Sequence, residues 1–223
     1  MDHPDIDRPD PALMGRIAPI ATSTFANAFD KCRLFHSVMA DIPAVAPGFA
    51  LSGPAVTVKL SVGEPGTYTS EDFAVGAMID AAKRGDVIVI DGGGSRYSTW
   101  GGMASFAAKM KGVAGIVVDG AARDLEEMIE FDFAVFSRHM VPTTGRTRLK
   151  VEAINVPVCV GGVDVNPGDI IVGDGTGVIA IPKARAQEVT SFAEKCQLDD
   201  NAAMEDMKNG LTFSQAMAKY RNI

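Results

Sequence analysis

The chain is poor in the residues that build metal centres and disulfide scaffolds. Of its 223 residues, three are cysteine and three are histidine. Cys32, Cys159 and Cys196 lie far apart and are odd in number, and no CxxC or Cys/His spacing occurs. That argues against structural zinc and a disulfide framework, and leads us to expect a reduced, cytoplasmic setting. His3, His36 and His139 form no HxH or HExxH pair, so they read as packed or surface residues. Positive charge is also scarce. Against 28 Asp and Glu stand 21 Lys and Arg, a net charge of −7, which disfavours a nucleic-acid-binding surface. It does not exclude an anionic substrate, because the field inside a pocket can oppose the net charge. No apolar run approaches the roughly 18 residues of a membrane span. The opening MDHPDIDRPDP is acidic and proline-rich and lacks the apolar core of a signal peptide. G-x-G-x-x-G, GxxxxGK[ST] and G-x-S-x-G are all missing.

What is present is an ordinary globular composition, 47% hydrophobic and 22% charged. The length fits one domain, residues 1–223, with 1–12 as a flexible or surface-draped arm. Spacing predicts helices over 11–16, 23–29 (ending near Lys31 and Cys32), 71–83, 101–111 and 125–130, and from 184 onward with a break near Gly210. Strands are predicted over 53–60, 87–91, 115–119, 134–136, 155–160, 169–172 and 178–181. Alternating strands and helices in the middle imply a parallel core sheet with crossover helices, and the closely spaced later strands look antiparallel. The expected fold class is α/β with a mixed β layer. In helix 101–111, Met103, Phe106, Ala107 and Met110 share one face, and Met103, Met110 and Met128 read as core.

The densest chemistry lies in residues 85–124. Two apolar strands each end in Asp-Gly, at Asp91 and Asp119. Either Asp orients a site or satisfies turn N–H groups, the turn role being the stronger reading. The run GGGSRYSTWGG lacks nucleotide-loop spacing, so its glycines read as a flexible or close-packed turn; only they suggest a nucleotide-like methyl donor. Thr99, Trp100, Gly101, Gly102 and Met103 precede or open a helix, whose free N–H groups suit a carboxylate or phosphate. Arg96, Tyr97 and Trp100 could each select a substrate side chain or do nothing. Arg123 and Asp124 follow a strand and precede a helix. They are either a surface Arg and a plain N-cap, or a bidentate carboxylate fork and a hard oxygen ligand for Mg²⁺. Glu194, Asp199 and Asp200 read first as a solvated helix face, and otherwise as contributors to a neighbouring subunit's site.

The segments GDVIVID, WGGMAS, GVAGIVVDGAARD and NPGDIIVGDGTGVIAIP, with GPAVTV near residue 53, resemble the family of regulator of ribonuclease activity A and the class II 4-hydroxy-4-methyl-2-oxoglutarate (4-carboxy-4-hydroxy-2-oxoadipate) aldolases. The likeness runs from about Thr24 to the C-terminal helix. It implies an α/β/β sandwich of swivelling-domain type, a homotrimer or hexamer, and a site between subunits. It implies that Arg123 holds the carboxylate of a small 2-oxo acid, that Asp124 holds Mg²⁺ or Mn²⁺, and that Gly101, Gly102, Met103 and Ala104 contact substrate. Arg123 and Asp124 are then the catalytic pair. The aldolase pattern carries an Asp where this chain has Gly102, which leaves proton transfer to a metal-held water. The expected activity is metal-dependent C–C cleavage releasing pyruvate, with oxaloacetate decarboxylation through the same enolate. The alternative is a non-catalytic, protein-binding regulator.

Overall fold

The structure, a computed structural model, describes residues 4–220, so His3 lies outside the described residues. Helices α1 (Pro11–Ile17) and α2 (Thr22–Cys32) lead into β1 (Val38–Met39), the long β2 (Leu51–Val62), α3 (Val75–Ala81) and β3 (Val87–Asp91). Next come β4 (Ser98–Trp100), α4 (Gly102–Lys111), β5 (Gly115–Ala122), α5 (Leu125–Glu130), β6 (Val135–Met140) and β7 (Leu149–Ile154). The chain closes with β8 (Val158–Val160), β9 (Val163–Val165), β10 (Ile170–Asp174), β11 (Gly177–Ile181), α6 (Ala186–Lys208) and α7 (Phe213–Lys219). No helix of the described residues is long and apolar enough to cross a membrane.

A mixed sheet runs β1-β11-β10-β2-β3-β5-β4, with β7 on β2 and β6 on β5. Strand β2 is its splice. The N-terminal half of β2 pairs antiparallel with β10, as in Ser52↔Val172, and its C-terminal half pairs parallel with β3, as in Val56↔Ile88. Strands β3, β5 and β6 continue in parallel, with α4 and α5 as crossovers. This is the mixed α/β architecture expected. Strands β3 and β5 are buried along their whole length, as strands covered on both faces must be, hence their unbroken apolar runs. A second core forms where Phe25 and Phe29 of α2 and Val189 of α6 close on Ile170 and Ile181.

Several local expectations are corrected. The helix expected from residue 71 begins at Val75, because the Asp72 carboxylate accepts the Thr69 N–H and O–H (2.8 and 2.9 Å) and holds a turn there. The strand expected over 155–160 is instead a hairpin, β8 and β9, turning on Gly161 and Gly162, both with positive φ. Strands β1, β4 and β7 had no clear signal. Met128 is buried as expected, but Met103 and Met110 are 79% and 70% exposed, and Phe106 and Ala107 are also exposed. The spacing was helical, yet the face it marks points outward. Only Gly102, Ser105 and Ala108 of α4 are fully buried, small residues that let the helix lie close to the sheet.

The acidic opening is fastened from Pro4 onward. Arg8 forms a two-pronged bond to buried Asp86 (2.9 and 2.7 Å), and Asn155 donates to the Pro4 carbonyl. In the β3–β5 register Asp91 and Asp119 stand side by side, both buried. Each has partners, as a buried charge must. Asp91 takes Lys59 and the N–H of Cys159 and Gly93; Asp119 takes Arg138 Nε (2.7 Å) and the Gly161 N–H (2.8 Å). The Asp119 carbonyl accepts the N–H of Gly92 and Gly94, and a Cβ on Gly92 would lie 2.9 Å from it. The triple glycine is therefore a close-packed turn sewn to β5.

Burial raises the Asp119 pKa, but the Arg138 hydrogen bond and the Gly161 N–H outweigh it and hold the group below the ordinary carboxylate range. A depressed carboxyl stabilises the fold above its ordinary pKa and loses that contribution as pH falls through its folded value. Arg138→Leu should therefore cost about 2 kcal/mol at pH 7 in urea titrations. The gap from wild type should close as pH falls below about 4; a gap independent of pH would refute this assignment.

Candidate active site

Ligands of α/β sheets gather at the carboxyl ends of parallel strands. Here β5 ends beside β4 and the start of α4. The Arg123 N–H donates to the Trp100 carbonyl (2.9 Å), which fixes the turn out of β5 against the turn into α4. Asp124 then takes the left-handed conformation (φ 64°), which Asp tolerates better than most residues. Its side chain caps nothing in α5. The reading of Asp124 as a plain N-cap of its own helix is therefore corrected: its Oδ2 accepts the Gly102 N–H of α4 at 3.1 Å and lies 3.5 Å from Arg123 Nε.

Two glycines make this closure possible. A Cβ on Gly101 would lie 2.6 Å from Asp124 Oδ2 and 3.3 Å from Arg123 Nε. A Cβ on Gly102 would overlap the Glu127 carboxylate and come within 2.8 Å of Glu127 Cβ. The space of a side chain at 102 is thus already filled by Glu127, from the first turn of α5. Met103 and Ala104 follow in the first turn of α4, where amides have no carbonyl of their own helix to reach.

These residues border a cavity of about 420 Å³. Gly101, Met103, Ala104, Arg123 and Asp124 line it; Gly102 stands behind, holding Asp124. Trp100 is a buried wall, its Nε1 bonded to Ser105 Oγ (2.9 Å) and its ring stacked on Phe133. Tyr97 carries the Arg148 guanidinium over its ring, and Arg96 points to solvent; neither lines the cavity. Nor do His36, His139 or the acidic residues of α6, where Glu194 is paired with Arg16 (2.6 Å). Sequence reasoning missed Ser70, Thr144 and Arg146. They reach the cavity from connections without periodicity, brought in by the pairing of Ser98 with Thr144 and by Gly145 N–H donating to the Ser98 carbonyl (2.8 Å).

Among the described residues no group of three or more His, Cys, Asp or Glu converges, so there is no all-protein metal cage. Asp124 presents one carboxylate on the cavity wall, and Oδ1 carries no hydrogen bond among the described residues. One hard oxygen ligand beside open space fits Mg²⁺ or Mn²⁺, which keep waters and take few protein ligands, and does not fit zinc.

The family profile described as RraA-like: Aldolase/RraA matches residues 22–180. A Halalkalibacterium halodurans protein named "Putative 4-hydroxy-4-methyl-2-oxoglutarate aldolase" is 39% identical over 151 residues, 67% of this chain and 68% of that protein. An uncharacterized protein of Methanocaldococcus jannaschii is 38% identical over 160 residues, 71% of this chain and 73% of that one. Among solved structures, Streptomyces coelicolor RraAS2, described as an unusual member of the RNase ES inhibitor RraA protein family, superposes with a TM-score of 0.80 at 28% identity. That match covers 89% of this chain and all of the other.

The overlap at position 102 makes a stability prediction. Gly102→Ala should destabilise the wild type, because Glu127 must leave its place, and should cost less in a Glu127→Ala background, where only the Cβ contact at 2.8 Å remains. The double-mutant coupling should be about 0.5–3 kcal/mol by denaturant unfolding. Simple additivity would show that Glu127 does not occupy this space.

Proposed function

The chain belongs to the RraA-like (Aldolase/RraA) family, and we propose that within it this protein is a divalent-metal-dependent lyase that cleaves a 4-hydroxy-2-oxo acid to release pyruvate. The observation that carries this reading is the joining of Arg123, Asp124 and the first amides of α4 on one cavity wall. Arg123 presents a planar fork that fits the carboxylate of the 2-oxo acid bidentately. Asp124 is the residue to hold Mg²⁺ or Mn²⁺, and that ion, when bound, supplies a Lewis acid to the 2-oxo group. Negative charge grows on the 2-oxo oxygen as the C3–C4 bond breaks, and Arg123 with the amides of Met103 and Ala104 offsets it. The 4-hydroxyl proton must leave in that step, and C3 must gain one afterwards. Gly102 offers no side chain to carry these protons, and Glu127, which fills the space beside it, does not line the cavity. Loss of CO₂ from oxaloacetate develops the same charge, so the same residues serve it.

The assembly belongs to this proposal. Phe106 and Met110 project from α4 next to Met103 of the cavity wall, and Ile129 of α5 is also exposed. We assign this face to a second copy of the chain in a homotrimer, or a hexamer built from trimers, so that the cavity is completed between subunits. The second reading, a protein-binding regulator without turnover, is favoured by the same exposed apolar face and by Gly102.

A coupled pyruvate assay against 4-hydroxy-2-oxo acids and oxaloacetate, with and without Mg²⁺, decides between them. Arg123→Lys should lower kcat/KM about 100-fold or more. Asp124→Asn, which keeps an oxygen acceptor for the Gly102 N–H, should abolish both metal-dependent release and the calorimetric heat of Mg²⁺ binding. Metal-dependent release by that variant would sink the lyase mechanism, and wild type with neither turnover nor metal affinity would favour the regulator. For the assembly, Phe106→Glu with Met110→Glu should yield monomers in light scattering and lose turnover; an unchanged oligomer would place the interface elsewhere.

A further inference from the structure

Four hydroxyl side chains line the cavity: Ser70, Ser98, Thr99 and Thr144. Two are spent inside the fold. Ser98 Oγ donates to the Trp100 carbonyl (2.8 Å), and Thr144 Oγ1 accepts the Arg146 N–H (3.2 Å). Ser70 is exposed, so water serves it. The same holds for the Arg146 guanidinium, which has no hydrogen bond among the described residues. Thr99 differs from all of these. It is 3% exposed, yet its hydroxyl has no hydrogen bond among the described residues. Nor is that oxygen sealed in the core. The fully buried side-chain atoms without a partner, among the described residues, are Arg148 Nε, Asn155 Oδ1 and Thr190 Oγ1. Thr99 Oγ1 is not one of them, so it keeps its accessibility at the cavity that Thr99 lines.

The main chain on either side of Thr99 is fixed. The Ser98 N–H donates to the Thr143 carbonyl (2.9 Å), and the Ser98 carbonyl accepts the Gly145 N–H (2.8 Å). The Trp100 carbonyl accepts the Arg123 N–H, and the Trp100 indole is bonded to Ser105 and stacked on Phe133. Strand β4 therefore holds Thr99 in a set relation to Arg123. Threonine is β-branched and stiff at χ1, so its hydroxyl is held in place as well. An unpaired hydroxyl in such a position costs the fold, and valine would fill the same volume without that cost.

We propose that Thr99 is a specificity-determining residue of this site and that its hydroxyl bonds the C4 hydroxyl of the substrate. The partition of polar groups carries the assignment. Arg123 and the ion proposed for Asp124 both serve oxygens that only accept, the carboxylate and the 2-oxo group. An alcohol is at once donor and acceptor, and Thr99 is the buried wall residue left free to be both. Thr99 holds the alcohol oxygen in place while its proton leaves. An acid lacking that hydroxyl leaves Thr99 unpaired, which is how such a site discriminates against it.

This inference rests on the lyase reading, and its test separates the two. Wild type, Thr99→Val and Thr99→Ser are assayed with Mg²⁺ for pyruvate release from 4-hydroxy-2-oxopentanoate. Calorimetry with Mg²⁺ measures the binding of 2-oxopentanoate, which lacks the C4 hydroxyl. Thr99→Val should lower kcat/KM on the hydroxy acid about 10- to 100-fold, the loss expected when a hydrogen bond is removed and its partner is left unpaired. Its affinity for 2-oxopentanoate should fall by far less. Thr99→Ser keeps the hydroxyl and should recover most of the loss. Release by Thr99→Val at the wild-type rate overturns the role of Thr99, leaves water as the partner of its hydroxyl, and leaves the lyase standing. Equal weakening toward both acids assigns Thr99 to the fold and also overturns the proposal. Where wild type releases no pyruvate, calorimetry with both acids reads the role directly. Tighter binding of the hydroxy acid that Thr99→Val removes overturns the lyase and keeps the role; no such preference overturns both.

Discussion

The site depends on one hydrogen bond, from the Gly102 amide to the Asp124 carboxylate. It ties the end of β5 to the start of α4, and through Arg123 N–H to Trp100 it fixes β4 as well. A bond of this kind contributes only about 1 kcal/mol as a helix cap. Its weight is positional. It requires Asp124 in the left-handed region, glycine at 101 to admit the carboxylate, and glycine at 102 because Glu127 already fills the space. Four residues from two helices and the loops before them are thereby determined together, and a substitution at one is felt by the others.

Three other aspartates mark the contrast between structural and functional carboxylates. Asp86, Asp91 and Asp119 are all buried, and each is met by a cation from a distant segment: Arg8, Lys59 and Arg138. Those pairs secure the arm, the splice strand and the β6 edge. Asp124 is more exposed, with a side chain 36% accessible, and has a loose ion pair at 3.5 Å and one oxygen unspent. Similar Asp-Gly steps, at the end of β3 and within β5, which runs on to Ala122, therefore say little by themselves; what separates the roles is whether the lone pairs are used inside the fold.

What could be read in the sequence follows from the same physics. Strands β3 and β5 were legible because burial on both faces demands unbroken apolar runs, and their parallel pairing followed from the helices between them. Strand β4 has three residues after a glycine loop, too few for any period. Helix α4 was legible in spacing and wrong in direction, since apolar periodicity marks a face without saying whether core or another surface covers it. Arg123 and Asp124 stood out because a strand end and a helix start frame them. Arg146 did not, because its place depends on the β6–β7 connection pairing with Ser98, a contact between residues 46 apart in Ser98↔Thr144.

Part of the backbone strain lies at the cavity, where a site for a small molecule would use it. Non-glycine residues in the positive-φ region cost of order 1–3 kcal/mol each and persist where the surroundings over-determine them. Ala74 (φ 23°) and Asp124 (φ 64°) line the cavity, and Thr147 (φ 67°) follows Arg146 directly. To these add two glycines where α4 begins and a guanidinium without a partner. A docking surface is served by the outward face of α4, which needs none of these features. A pocket that positions a small molecule against Asp124 is served by them, because its selectivity lies in placement. Arg33, Asp41, Asp132 and Asn155 also have positive φ and lie away from the cavity, so strain alone does not mark the site; its coincidence with Asp124 and the paired glycines does.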